Sequence, residues 1–169
     1  INCTGVLNFN NRDDIIRAIK INTLFPRSLS LLSKKYNFRL IHISTDGVFD
    51  GMKAKYSEND KTNITDVYGM TKLLGEIQGA NIMTIRTSII GHNYYVERGL
   101  VNWFLNSEQS VHGFSNYIYS GLPTVEISRI IKTYILSNEE INGLYHIASD
   151  PISKFDILKL ISVIYNKKI

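Results

Sequence analysis

With one cysteine, Cys3, the chain has no internal disulfide. That fits a reducing compartment, read as the cytoplasm. Prolines are scarce (Pro26, Pro123, Pro151), and no low-complexity segment or internal repeat occurs, so no interdomain linker is expected. No apolar run approaches the roughly eighteen residues of a membrane helix, and no signal-peptide pattern opens the chain. The net charge of +4 is scattered, with Lys34-Lys35 and Lys167-Lys168 the densest pairs. A nucleic-acid face is therefore not expected. The four histidines (His42, His92, His112, His146) lack the spacing of metal ligands, so no metal site is expected. A G-x-S-x-G elbow is absent, which argues against a hydrolase. Also absent is any glycine-rich loop of the kind that cradles a dinucleotide.

What is present suits a globular domain. The 169 residues, 44% hydrophobic, are enough to bury a core. The opening Ile1-Asn2-Cys3-Thr4-Gly5 has no methionine and reads as the tail of a strand. The close, from Val163 to Ile169, reads as a helix without a cap. Both suggest a segment of a longer protein. Between them helical and extended patterns alternate. Residues 13–20 are helical, continuing through Asn22 to Lys35. Residues 39–44 form a buried strand, 46–66 a polar loop, 67–79 a helix and 82–87 a second buried strand. A helix lies near 96–106, an extended aromatic stretch at 110–122, a helix over 124–137 and a strand at 144–148. A last helix is capped by Ser153 with Asp156 three residues on. Strand–helix alternation predicts a parallel α/β sheet, whose ligands sit beyond the carboxyl ends of the strands. Ser44-Thr45 and Arg86-Thr87-Ser88 both fall at such ends.

Tyr68 and Lys72 are four residues apart on the helix and share a face. A phenol has a pKa near 10, and an adjacent ammonium lowers it. Such a tyrosine donates a proton to a carbonyl oxygen, and a hydroxyl from another element holds that carbonyl. The spacing by itself says little: with ten tyrosines in the chain, chance supplies about one such pair. The context adds weight, since the pair follows a strand ending in Ser-Thr. Gly75 and Gly79 fall on the same helix face, and Leu73, Leu74 and Ile77 on the opposite side are expected to pack the core. Glu58 reads as a loop-anchoring acceptor. Arg86 reads equally as a phosphate ligand or as the partner of a carboxylate. Tyr117, Tyr119 and Trp103 suit either a ligand cleft or a core.

Ser44-Thr45-Asp46-Gly47-Val48-Phe49-Asp50-Gly51, then Tyr56-Ser57-Glu58, then Tyr68-Gly69-Met70-Thr71-Lys72-Leu73-Leu74-Gly75-Glu76 resembles the extended short-chain dehydrogenase/reductase superfamily. The closest branch is the dTDP-4-dehydrorhamnose reductase type, with its S-T-D-x-V-F, Y-x-E and Y-G-x-x-K order. Asn2-Cys3-Thr4-Gly5 is similar to the end of that family's fourth strand. Arg86-Thr87-Ser88 is similar to its R-T-S, Gly121-Leu122-Pro123-Thr124 to its G-x-P-T, and Gly143 to Ala148 to its G-x-Y-H strand.

The resemblance implies a Rossmann-type parallel sheet lacking its first strands, over residues 1–91. Residues 92–169 would mix part of a substrate lobe with closing sheet elements. It implies NADPH- or NADH-dependent reduction of a keto group on a nucleotide-linked deoxysugar, in surface-polysaccharide synthesis. A homodimer is compatible with it. Thr45 would bond the substrate carbonyl, with Ser44 as its rival, Tyr68 would give the proton, and Lys72 would tune Tyr68 and bind the nicotinamide ribose. Cys3, Thr4, Gly5, Asn22, Ser44 and Thr87 would adjoin the cofactor. Asp46, Gly47, Val48 and Ile89 would line the sugar alongside Thr45. The chain departs from the pattern in three ways. The glycine-rich loop and the residue that selects NAD or NADP are missing. The rhamnose-forming enzymes carry tyrosine at Gly47 and tryptophan at Ile89. Related dehydratases carry an acid at Gly47, which argues against dehydration. A non-catalytic binding relative and a nucleotide-sugar epimerase are the alternative readings. In isolation the segment is expected to be close to inactive.

Overall fold

The computed structural model describes residues 1–7, 9–93, 99–108 and 110–167. They form two compact units, Ile1–Thr87 with Ile131–Ile147, and Ser88–Ile130 with Ala148–Ile169.

The first unit opens with Asn2 bridged in parallel to His42, through Asn2 N–H to the Ile41 carbonyl and Ile43 N–H to the Asn2 carbonyl. Helix α1 (Arg12–Ala18) is capped by Asn11, whose side chain accepts from the Asp14 amide. The helix widens into a π-helical stretch, Ile19–Leu24, and resumes as α2 (Phe25–Tyr36). Pro26 explains the widening: it has no N–H to offer the Asn22 carbonyl four residues back. Asn37, at φ 51°, closes α2.

Strand β1 (Leu40–Ser44) then leads through a 3-10 turn (Asp46–Val48) and a long loop to α3 (Val67–Leu74). Asp66 caps α3 by accepting from the Gly69 amide at 2.9 Å. Strand β2 (Ile82–Arg86) is buried at every position, as a central parallel strand requires. The second unit contributes β3 (Ile89–Ile90), α4 (Leu100–Asn106), β4 (Ile118–Tyr119), β5 (Leu122–Pro123), α5 (Thr124–Ile130), β7 (Ile152–Ser153) and α6 (Lys154–Tyr165). The first unit resumes with a π-helical stretch, Ile131–Ile135, and β6 (Gly143–His146). Arg39 fastens this returning segment by donating to the carbonyls of Ile135 (2.6 Å) and Ile141 (2.8 Å).

The sheet order is β1-β2-β6, all parallel, the α/β arrangement that the alternation predicts. Ser44 pairs with Arg86, and Arg86 with His146, so these three residues form one row at the carboxyl ends. In the second unit Val101, Phe104, Ile157, Leu158 and Ile161 make the core, with Tyr119 packed against it, while Trp103 and Tyr117 are exposed.

Several expectations change. Helix α3 stops at Leu74, not at residue 79. Its inward face carries Gly69, Thr71 and Lys72, and Leu74 is exposed. The reason is steric. A Cβ on Gly69 would lie 2.3 Å from the Gly47 carbonyl, and one on Gly75 1.9 Å from the Asn22 carbonyl. The small-residue side therefore makes the close contacts. Residues 110–122 form only the two-residue β4 and the start of β5. The last helix does end in a cap, with Asn166 at φ 49°. Its start is as expected, with Ser153 Oγ accepting from the Asp156 amide at 3.0 Å. Residues 96–98 of the expected fourth helix lie outside the described residues. Among the described residues no helix is long and apolar enough to cross a membrane.

Candidate active site

At the carboxyl end of β1 the chain turns sharply. Thr45 caps the 3-10 turn, its Oγ1 accepting from the Gly47 amide at 3.0 Å. Its Oγ1 also donates to Asp46 Oδ1 at 3.4 Å, and its side chain acts on the neighbouring Tyr68 phenol. Thr45 is 6% exposed and Tyr68 partly buried. A Cβ on Gly47 would stand 3.2 Å from Thr45 Oγ1 and 3.9 Å from Tyr68 Cε1. The bare backbone at Gly47 thus leaves room around the hydroxyl pair. Burial pushes the Tyr68 phenol above its ordinary pKa of 10. The neighbouring Thr45 side chain opposes this, and the Asp46 and Asp66 carboxylates add to it.

Lys72 is one turn further along α3 and only 4% exposed. Its Nζ donates to the Ile43 carbonyl at 2.7 Å. Burial holds the ammonium down to about 8, against the pull of Glu76 and Cys3 in the opposite direction. The expected lowering of the phenol pKa by Lys72 is therefore corrected. The charges acting on Tyr68 are anionic, and burial decides the direction. A phenol held in its protonated form is the state a proton donor must rest in.

Ser44 is turned away from this pair, donating to Glu76 Oε1 at 2.8 Å, as the alternation of strand side chains requires. Asn22, expected beside a cofactor, is fully buried and spends its amide internally. Its Oδ1 accepts from the Val6 amide (2.8 Å), and its Nδ2 donates to the Val6 carbonyl and Thr71 Oγ1 (3.0 Å each). Its part is to tie the chain beyond Gly5 to α3. Val48, expected to line the sugar, is 0% exposed, and its side chain belongs to the core. Asp46 is exposed beside Thr45, whereas Ile89 belongs to the second unit. Thr87 is buried just beyond β2. Cys3, Thr4 and Gly5 are exposed at the end of the Asn2 bridge. The turn there is held by Asn2 Oδ1, which accepts from the Thr4 amide (3.1 Å) and hydroxyl (2.6 Å).

Two residues weighed in the sequence resolve here, and one that received no role there, His42, stands out. Arg86 resolves as a carboxylate partner, forked onto Glu76 with both contacts at 2.8 Å. Glu58 anchors its loop on the His146 amide at 2.7 Å, as expected of it. His42, fully buried in β1, has its pKa lowered to about 3, by burial first and the Lys72 charge second. Its place in mid-strand, two residues before Ser44, was the only available signal.

Known proteins resemble this chain in sequence and fold. The Danio rerio protein named methionine adenosyltransferase 2 subunit beta is 27% identical over 141 residues, 75% of this chain and 43% of its own length. A crystal structure of a hypothetical dTDP-4-dehydrorhamnose reductase from Sulfolobus tokodaii is 28% identical, with a TM-score of 0.78 over 95% of this chain and 59% of that one. A dTDP-4-dehydrorhamnose reductase from Bacillus anthracis, solved with NADP, gives a TM-score of 0.81 at 21% identity, over 99% of this chain and 62% of that one. At that identity the likeness is one of fold, and the fold is Rossmann-like. The chain spans less than two thirds of each of these proteins. Residues 11–167 match the family model described as the RmlD substrate binding domain. With nearly its whole length matched, from the cap of α1 to the end of α6, this chain belongs to the RmlD substrate binding domain family.

Proposed function

We propose that this chain carries the proton-donating part of an NADPH- or NADH-dependent reductase. Its substrate would be the keto group of a nucleotide-linked deoxysugar, and its setting surface-polysaccharide synthesis. The observation that carries this reading is the convergence of the Thr45 and Tyr68 side chains on the bare backbone of Gly47, 3.2 Å and 3.9 Å from a Cβ placed there, with Lys72 buried one turn away.

In this reading the substrate carbonyl oxygen accepts from both hydroxyls. Thr45 orients it, and Tyr68 passes its phenolic proton to it as negative charge develops. Bound NADPH or NADH would supply the hydride. The residues suit such a group. Lys72 shows one hydrogen bond, to Ile43, from an ammonium with three donors. Two remain for ribose hydroxyls. Cys3, Thr4 and Gly5 offer exposed backbone at the end of the Asn2 bridge.

The test is oxidation of NADPH by the native protein in the presence of dTDP-4-keto-6-deoxy sugars. Tyr68→Phe should lower kcat at least about 100-fold while leaving nucleotide-sugar affinity nearly unchanged. Wild-type kinetics in that variant would refute the role of Tyr68. A second, binding-only reading draws on the relative named as a methionine adenosyltransferase subunit. Binding of nucleotide without any consumption of NADPH or NADH would favour it.

A further inference from the structure

Four motifs that the proposed chemistry does not use meet at one place. They are Tyr56-Ser57-Glu58, the Glu76 that follows α3, Arg86, and His146 at the end of β6. Arg86, 5% exposed, sits in the middle. Its Nε and Nη2 fork onto the two oxygens of Glu76, each at 2.8 Å. Its Nη1 faces His146 Nε2 at 3.4 Å, and its Cζ lies 5.2 Å from the centre of the Phe49 ring. Glu76 Oε1 also accepts the Ser44 hydroxyl. Phe49 stacks on Tyr56, with centroids 4.2 Å apart and planes 12° from parallel. It also meets His146 edge-on at 5.7 Å. Glu58 accepts the His146 amide, and His146 Nδ1 faces the Tyr56 carbonyl at 3.3 Å.

The consequence concerns the short segment from Ser44 to Phe49. One end is gripped through its hydroxyl by Glu76, the other through its ring by Arg86, and those two side chains are locked to each other. Between the grips lies the turn that carries Thr45. A forked guanidinium–carboxylate pair fixes orientation as well as distance. We propose that the Glu76–Arg86 pair is a positioning clamp on this turn, secured from outside by Tyr56, Glu58 and His146, and that it sets where the Thr45 hydroxyl stands relative to Tyr68. The catalytic meaning of that placement rests on the reductase reading. The clamp itself does not.

Two measurements separate the two claims. The first is hydrogen exchange of the Gly47 and Phe49 amides, which bond Thr45 Oγ1 and the Asp46 carbonyl. Glu76→Gln and Arg86→Lys should each speed exchange at these two amides at least tenfold. Met83 and Ile85, in the middle of β2, should keep wild-type protection. The double variant should be no faster than the worse single one, because either change opens the same clamp. The second measurement is turnover of the native protein. kcat should fall at least tenfold in the same variants, and KM for the nicotinamide cofactor should stay within a factor of two.

Should the buried variants fail to fold, Glu58 gives an exposed handle. Glu58→Ala should loosen the Gly47 and Phe49 amides several-fold, and Glu58→Gln, which still accepts from His146, should restore them. Unchanged exchange at residues 47 and 49, or equal acceleration throughout β2, would overturn the clamp. Loosened exchange with unaltered kcat would overturn its catalytic role. A wild-type protein with no turnover would sink the reductase reading while the exchange data still decide the clamp.

Discussion

The Lys72 ammonium donates to the Ile43 carbonyl across 2.7 Å, joining the middle of α3 to β1 just before Thr45. A charge held at this depth costs desolvation that one hydrogen bond does not offset. That is why its pKa sits near 8 rather than at 10.5.

This depression makes stability depend on pH in a definite direction. Between about pH 8 and 10.5 the unfolded chain keeps the Lys72 proton and the folded chain has lost it. The unfolded state then binds more protons, so stability rises with pH across that window. The gain attributable to Lys72 is on the order of 3 kcal/mol when complete. Urea denaturation of wild type and Lys72→Met at a series of pH values isolates it. The difference in unfolding free energy, wild type minus variant, should climb from pH 8 to 10.5 and be flat below 7. A difference that stays flat throughout would contradict the burial of the charge.

His42 makes the complementary case on the acid side. Asn2 Oδ1 takes two donors from Thr4, so its Nδ2 is the atom facing His42 Nδ1 at 3.0 Å. His42 Nδ1 must then accept, and the ring proton lies on Nε2. Nitrogen–proton correlation spectra should show this tautomer with no titration between pH 5 and 8. With a folded pKa near 3 against 6.5 unfolded, the contribution of this ring is complete above pH 6.5. It is lost as pH falls toward 3. A midpoint near 6.5 for His42 in the folded protein would contradict both statements.

Much of this was legible in the chain, for reasons that can be named. Buried β1 and β2 are short stretches rich in Ile, Leu and Met broken by single polar residues, and Tyr68 and Lys72 must share a face at four-residue spacing on any helix. The Ser153 cap is local chemistry. The features that were not legible depend on what a second element brings. The fork of Arg86 onto Glu76 needs the turn after Gly75 to deliver Glu76 against β2, and neither residue shows that alone. The outward position of Leu74 follows from two glycine contacts, and a pattern of apolar residues would put it inside. Asn22 could be matched to an active-site asparagine. That its amide is consumed by Val6 and Thr71 depends on the π-helical stretch ahead of Pro26. The balance of charge on Tyr68 was misjudged for the same reason: Asp46 and Asp66 come close to it only after folding.

Gly75 is the position where the least change should do the most damage. An added Cβ, fixed rigidly to its own backbone, would fall 1.9 Å from the Asn22 carbonyl oxygen, which is itself backbone. No side-chain rotation relieves that overlap, so α3 must move off the π-helical stretch. The move would strain the bonds from Thr23 Oγ1 to the Thr71 carbonyl (2.7 Å) and from Arg27 Nε to the Leu74 carbonyl (2.7 Å). Gly75→Ala should therefore cost about 2 kcal/mol or more in thermal or urea unfolding. Gly5→Ala, where the nearest atom is Asn22 Oδ1 at 3.9 Å, should cost little. Equal stability of the two variants would show that the close approach at Gly75 is not real.

The two hydroxyls at the end of β1 should separate cleanly by kinetics. Thr45 Oγ1 accepts the Gly47 amide beside the Tyr68 ring, whereas Ser44 Oγ spends its proton on Glu76. Thr45→Val preserves shape and removes the group proposed to hold the carbonyl. It should lower kcat about 100-fold, the range seen when one oxyanion donor is lost. It should also remove the Thr45 influence that lowers the Tyr68 pKa, so the phenol pKa should rise further. Ser44→Ala removes one of several contacts to Glu76, whose fork to Arg86 remains. Because it frees the Ser44 end of the clamp, it should lower stability by about 1 kcal/mol and kcat about tenfold, well short of the loss in Thr45→Val. Steady-state turnover with a nucleotide keto-sugar, run beside urea unfolding of each variant, reads both effects. If Ser44→Ala proved the inactive variant and Thr45→Val the active one, the assignment of the carbonyl-holding hydroxyl would have to be exchanged.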